Sequence, residues 1–377
     1  MKRRKLVIIS HTEHYQNDQQ EIVGWGSTIN EVNFLADFWD EVVHVACLYE
    51  SKAPKSALPY RKSNIRFVSI PPYGGTSIWD KLLIFTKIPI IIHQVVRHVK
   101  GASEVQLRLP TSMGVFLLPL FGFLLPRNYT LWVKYAGNWN QENPPLSYRF
   151  QRWWLKKNLA RCKVTINGSW RNQPSYCLSF ENPCLTLEDI EKGRAITQEK
   201  YFKGDFVLAF VGRLEDKKGV DKIIEGLTML PLEKIRKVHF IGDGPKRSIY
   251  EQQTSFLKDK VSFHGFLSKN AVHSILGESH FFLLPSESEG FPKAIAEAAC
   301  YGVLPIVSDV GSISHYINDE NGFVWLERGG IDYGKTLQEA LFTHAKDLKE
   351  KSTQARELAE KFTFVSYLEK LNLLILK

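Results

Sequence analysis

Five short apolar runs constrain this chain more than any other feature. They lie at 206–211, 238–241, 261–265, 281–284 and 303–308 of the 377 residues, and helical patterns separate them. The runs at 206–211 and 281–284 are apolar without polar alternation and suit strands buried on both faces; those at 238–241 and 261–265 carry His239, Ser262 and His264 and read as further strands of the same series. Strand, turn and helix in repetition build a parallel α/β sheet with helices on its faces. The turns hold small residues: Gly212-Arg-Leu-Glu-Asp-Lys-Lys-Gly219, Gly242-Asp-Gly-Pro245 and Asp309-Val-Gly-Ser312. Sheets of this kind take ligands outside the carboxyl ends of their strands.

The run at 281–284 leads into the stretch with the most chemistry. Its loop holds Glu287, Glu289 and Gly290; then come Phe291 and Pro292. Proline suits a first helical turn, where no N–H partner is needed. The helix continues on Ala294, Ala296, Ala298 and Ala299. Glu289 stands before it and Glu297 inside it, about 8–10 Å apart along the axis at helical rise. Between them lies a helix N-terminus, whose N–H groups and positive dipole end attract phosphate. Carboxylates accept hydrogen bonds from sugar hydroxyls. The spacing fits a ligand with phosphate in the middle and a hydroxylated group at each end, as in a nucleotide-diphosphate sugar. The competing reading is a surface helix with two solvated glutamates.

The first half repeats the grammar, with strands expected at 6–10, 42–46, 65–70, 104–109, 129–135 and 164–168. Gly24-Trp-Gly26 precedes a helical period through Ile29, Val32, Leu35, Ala36 and Trp39. Gly24 and Gly26 are candidates for a phosphate or acceptor loop. Arg108 closes the strand at 104–109, and Lys134, Asn138 and Trp139 follow the next one; these are acceptor-side candidates. For Arg108 the alternative is an ion pair within the fold.

We therefore expect two Rossmann-like doubly wound domains facing across a cleft: 1–180 on the acceptor side and 205–359 on the donor side. The polar stretch 181–204 reads as a linker. A C-terminal helix at 360–377 is expected to pack back on the first domain.

Net charge is +9, which favours anionic partners. The five cysteines are scattered and form no Cys-x-x-Cys pair, which argues against a disulfide framework or a zinc site and fits a reducing cytoplasm. Segments 84–99 and 113–125 are apolar but interrupted by charge or proline, and read as buried or partly interfacial helices. The expected location is the cytoplasm, with peripheral contact at the inner, anionic face of the membrane left open. No nucleic-acid motif is present.

Residues 207–326 resemble the donor-binding domain of the family-4 retaining glycosyltransferases, which have the GT-B fold, in particular those of bacterial surface-polysaccharide synthesis. Four motifs carry the resemblance in order: Phe-Val-Gly-Arg-Leu-x-x-x-Lys-Gly at 210–219, Ile-Gly-Asp-Gly-Pro at 241–245, Phe-His-Gly-Phe at 263–266, and Glu-x7-Glu on Glu289 and Glu297. The resemblance implies that Arg213 and Lys218 hold the diphosphate and that Glu289 contacts donor-sugar hydroxyls. Glu297 would bind the ribose, and the backbone near Phe266 the base. Gly212, Gly290, Phe291 and Pro292 complete the implied donor site. It further implies same-face transfer with no metal and no other cofactor, the leaving diphosphate being stabilised by cations and the helix end. Where the family often reads Gly-Gly-x-Pro-Glu after the last strand, this chain has Gly311-Ser-Ile-Ser-His315.

The expected function is thus transfer of a hexose-type sugar from a nucleotide-diphosphate sugar to a glycan or lipid-linked glycan in surface polysaccharide synthesis. The rivals are a GT-B sugar-nucleotide hydrolase or epimerase, and a non-catalytic basic binding protein.

Overall fold

The computed structural model describes residues 3–54, 56–74, 83–126, 128–326 and 332–376. The chain divides into two units, Met1–Phe180 with Leu368–Lys377, and Glu181–Tyr367.

The first unit is built on β1 (Lys5–Gln16), β2 (Ile22–Trp25), β3 (Glu41–Leu48), β4 (Ala57–Pro59), β5 (Ile65–Ile70), β6 (Glu104–Leu109), β7 (Thr130–Tyr135), β8 (Lys163–Ile166) and β9 (Cys177–Ser179). Strands β5-β3-β1-β6-β7-β8-β9 run parallel, the order of a Rossmann-like sheet. Val7, Ile9, Val43, Val45, Val105, Leu107, Val133 and Val164 form its core, nearly or fully out of water.

One departure from the sequence reading matters. β1 does not stop near residue 10. It runs on to Gln16 and turns back as the antiparallel β2, with His14 opposite Gly24. The turn is held by the Asn17 side chain, whose Oδ1 accepts from the N–H groups of Gln19 and Glu21.

The second unit holds β10 (Phe206–Val211), β11 (Ile235–Ile241), β12 (Val261–Phe263), β13 (Phe281–Leu284), β14 (Leu304–Ser308) and β15 (Phe323–Trp325). All pairs are parallel, in the order β12-β11-β10-β13-β14-β15. The central β10 and β13 are buried nearly throughout, as their unbroken apolar sequences require.

The stretch 181–204 is not a linker. Thr186 and Asp189 form a capping box that starts a helix over Leu187–Glu199, and this helix belongs to the second unit. It was hidden because its packing face is small: a Cβ on Gly193 would lie 2.0 Å from the Cys300 carbonyl. The helix approaches its neighbour through glycine rather than through a row of large apolar side chains, so no strong period marks it. The C-terminal helix spans Phe364–Leu374, and from Leu368 onward it groups with the first unit, where Lys163 Nζ donates to the Leu374 carbonyl.

Candidate functional site

In the second unit the site is assembled by the loops that leave the carboxyl ends of three adjacent strands, β10, β13 and β14. The β10 loop begins at Gly212, whose N–H donates to the Ile241 carbonyl. A short turn at Asp216–Lys218 follows, ending on Gly219 with φ +71°. Only glycine fits there, because a Cβ would sit 2.1 Å from the Pro285 carbonyl oxygen. The two loops are joined further by Glu287 N–H donating to the Lys217 carbonyl, 3.0 Å.

This close approach brings Lys218 to Glu289. Their Nζ and Oε1 atoms are 2.5 Å apart, and the glutamate side chain is only 11% exposed. The cation expected to hold diphosphate and the carboxylate expected to hold sugar hydroxyls are therefore direct neighbours. They neutralise each other.

The β14 loop supports the same segment from its other side. Gly311, at φ +60°, leaves no room for a side chain: a Cβ would meet the Glu289 carbonyl at 1.9 Å. Ser312 donates both its N–H and its hydroxyl to the Gly290 carbonyl, at 3.0 and 2.9 Å. Glu289 and Gly290 are thus held by the close approach of Gly311 and by a double hydrogen bond from Ser312. Ser312 stands where the resemblance left a glycine in question, and its role follows from proximity across the sheet.

Pro292 occupies the N-cap position rather than the first turn, with ψ 123°, and the helix runs over Lys293–Cys300. No side chain caps it and no acid lies in its first turn, so its amide end is open to an anion. Glu297 sits half-buried in the second turn and takes no hydrogen bond from any described residue.

Other predicted donor residues behave differently. Phe291 is an anchor: it is buried and stacks on Phe362 with ring centroids 4.7 Å apart. Arg213 points to solvent, its side chain 67% exposed, with Glu215 at 3.4 Å. Phe266 is 48% exposed after Gly265, whose carbonyl accepts from Gly242 N–H. His315 lies exposed in a short turn at Ile313–His315. Asp216 is held by Lys246 and by the Tyr250 hydroxyl, and these hydrogen bonds keep its carboxyl below the usual range. Among the described residues no three His, Cys, Asp or Glu side chains converge as a cation site.

In the first unit the acceptor-side candidates form a buried ion cluster. Lys134 donates to both carboxylate oxygens of Glu31, at 2.7 and 2.8 Å, and Arg108 donates to Oε1 at 2.9 Å. The Arg108 Nε is taken by Gln106. Glu31 is 1% exposed, on the helix Gly26–Leu35. A carboxylate so deeply buried needs such partners, and of the two readings of Arg108 the geometry is that of the ion pair within the fold. Asn138 uses its Oδ1 to accept from Asn140 N–H, and Trp139 packs edge-on to Tyr135 in the core.

The glycines expected as a phosphate loop are not in a loop. Gly24 lies within β2, and the space of its missing Cβ is filled by the His14 ring at 2.5 Å. Gly26 opens the helix against the Ser56 carbonyl. His14 belongs to a chain of hydrogen bonds: its Nε2 meets the Tyr60 hydroxyl at 2.8 Å, that hydroxyl meets His44 Nδ1 at 2.7 Å, and His44 Nε2 meets Ser10 Oγ at 2.8 Å. Burial holds both imidazoles low, His14 at about 4.

Comparison with known proteins bears on the second unit. Residues 192–341 match the family of glycosyl transferases group 1. Over those residues the chain is similar to the group 1 glycosyl transferases. The matched stretch contains the Lys218–Glu289 pair, Glu297 and the Gly311-Ser312 clamp. A glycogen synthase 2 of Nitrosococcus oceani is 28% identical over 170 residues, covering 42% of this chain and 34% of that one. The putative teichuronic acid biosynthesis glycosyltransferase TuaC of Bacillus subtilis is 34% identical over 135 residues, covering 36% and 31%. The chain thus spans about a third of the length of these relatives. Among solved structures, Anabaena Alr3699/HepE in complex with UDP and glucose superposes with a TM-score of 0.67 over 98% of both chains, at 14% identity. That likeness shows the fold: two Rossmann-like units of the GT-B class.

Proposed function

We propose that this chain is a retaining, metal-independent glycosyltransferase. It moves a hexose-type sugar from a nucleotide-diphosphate sugar to a glycan or lipid-linked glycan acceptor, in surface polysaccharide synthesis. The observation that carries the reading is the contact of Lys218 with Glu289 at the carboxyl edge of the β10-β13-β14 sheet, beside an uncapped helix end. A diphosphate placed there would draw Lys218 from the carboxylate. Glu289 would then be free to accept from sugar hydroxyls, and Glu297 from the ribose. As the anomeric bond breaks, negative charge collects on the leaving diphosphate. Lys218, Arg213 and the helix amides are the groups able to stabilise it. The UDP complex of the similarly folded HepE supports a nucleotide donor, and the relative TuaC, named for teichuronic acid biosynthesis, supports a glycan product. No cofactor takes part in this reading, and nucleic acid is not a partner.

The test is turnover. The protein is incubated with each common nucleotide sugar in EDTA, with and without glycan or lipid-linked glycan acceptors, and products are read by mass spectrometry. A glycosylated acceptor with the donor's anomeric configuration supports the proposal. Free sugar released equally fast without acceptor would assign a hydrolase instead, and strict dependence on added divalent metal would remove the metal-independent part.

A further inference from the structure

The positive charge of this chain is not spread evenly. Residues 81–180 hold fourteen Lys and Arg against two acids, Glu104 and Glu142. With +9 overall, the rest of the chain is net acidic. The whole basic excess therefore lies in the later part of the first unit.

The same segment exposes large apolar side chains. The helix Leu146–Lys156 turns Leu146 (80% exposed) and Trp153 (50% exposed) outward, two turns apart on one face. Arg149, Lys156 and Lys157 lie exposed beside them. Arg152 is spent internally, donating to the Trp139 and Gln141 carbonyls. Against this helix packs the turn Leu120–Leu124, which leaves Phe123 and Leu124 62% and 73% exposed. The patch is continuous: Phe123 meets Trp154 edge-on at 5.4 Å, and Trp154 adjoins Phe150 and Trp153 at 5.4 and 6.1 Å. Four large apolar side chains left in water next to cations that no described carboxylate pairs, Lys156 lying over the Trp139 ring at 5.7 Å, mark an interaction surface rather than an ordinary exterior.

We propose that this face seats on an anionic lipid bilayer. Leu146, Trp153, Phe123 and Leu124 would enter the headgroup–acyl boundary, while Arg149, Lys156 and Lys157 meet lipid phosphates. Indole beside lysine and arginine suits that boundary, with an apolar body below and charge above. No helix among the described residues is long and apolar enough to cross a membrane, so the contact is one of surface seating. This inference stands on the first unit alone and does not depend on the donor-site reading.

The experiment is co-sedimentation of the full chain with phosphatidylcholine vesicles, and with vesicles in which about a third of the lipid is phosphatidylglycerol. Wild type sediments with the anionic vesicles only, and less as salt rises. Each basic residue at such a surface contributes about fivefold, so the Arg149→Gln/Lys156→Gln/Lys157→Gln triple loses roughly 100-fold in partitioning. Leu146→Ser/Trp153→Ser, changed at exposed positions, loses about tenfold at unchanged charge. Melting curves confirm that both variants fold, and a Phe123→Ser/Leu124→Ser variant repeats the apolar test on a separate element. Absence of anionic-vesicle binding by wild type would overturn the proposal. So would full binding by both serine variants, and displacement of the protein from vesicles by single-stranded RNA with the serine changes silent would assign the face to polyanions instead. Nucleotide-sugar binding, measured on the same variants without vesicles, stays at the wild-type level, so a failure here is distinct from a failure of the donor site.

Discussion

Glu31 shows how one residue can organise a domain without leaving a trace in local sequence. Its carboxylate is buried and its two cations come from strands 77 and 103 residues away. Removing it would leave Arg108 and Lys134 as uncompensated charges in the interior. Glu31→Ala should therefore destabilise the first unit by about 3–5 kcal/mol, measured by urea unfolding. A change within half a kcal/mol would show that water already solvates the cluster. A second prediction concerns acid. Burial holds His14, His239 and His280 at about 4 in the folded chain, against about 6.5 unfolded. The unfolded chain then binds more protons between those values, so stability is full above about pH 6.5 and falls toward pH 4. Urea midpoints at pH 7 and pH 5 check the sign; a higher midpoint at pH 5 would contradict it. Only part of this was legible from the sequence: an ion pair within the fold was one of two readings of Arg108, but its partner Glu31 was not named. Arg108 and Lys134 looked like ligand residues because a cation near a strand's carboxyl end often is one, and a partner so distant in sequence carries no period. At Gly24 the structure shows what the sequence did not: the space of its missing side chain is filled by the His14 ring.

Elements fared better where packing is repetitive. The strands β10, β13 and β14 were readable because each is almost wholly apolar and lies inside a parallel sheet; of β11 only the apolar end at 238–241 was read, because its first half carries Arg236 and Lys237. The Leu187–Glu199 helix was missed because its buried face holds a single large apolar side chain, Ile190, beside Gly193 and Thr197, although Thr186-Leu-Glu-Asp189 is a start signal that a search for capping boxes would have found. The loop clamp was only half legible. Glu289 and Lys218 followed from motif spacing, but the support from Gly311 and Ser312 exists only once β13 and β14 lie side by side. The clamp makes a prediction of its own. Ser312→Ala removes one of two hydrogen bonds to the Gly290 carbonyl, worth about 1 kcal/mol, and should raise the donor KM several-fold with little loss of thermal stability. Restoration by Ser312→Thr but not by Ser312→Val would identify the hydroxyl as the cause; equal kinetics in all three would remove Ser312 from the positioning of Glu289.

For the whole molecule, sequence and structure agree on two α/β units with parallel sheets. They divide the chemistry unequally. The second unit carries the stretch similar to the group 1 glycosyl transferases and, within it, a sheet edge bearing an ion pair, an uncapped helix and a carboxylate that no described residue hydrogen-bonds. The first unit carries the basic excess and the exposed aromatic face, while its own candidate ligand residues are occupied with holding its sheet and helix together. The central claim is that Lys218 and Glu289 part to admit a nucleotide diphosphate. Calorimetric titration of nucleoside diphosphates and their sugars into wild type and Lys218→Ala tests it most directly. The account predicts that at least one nucleotide binds wild type in EDTA, and that Lys218→Ala weakens it about 10–100-fold, the worth of a charge-assisted hydrogen bond. Equal affinity in the two proteins, or no binding by wild type across the panel, would contradict it.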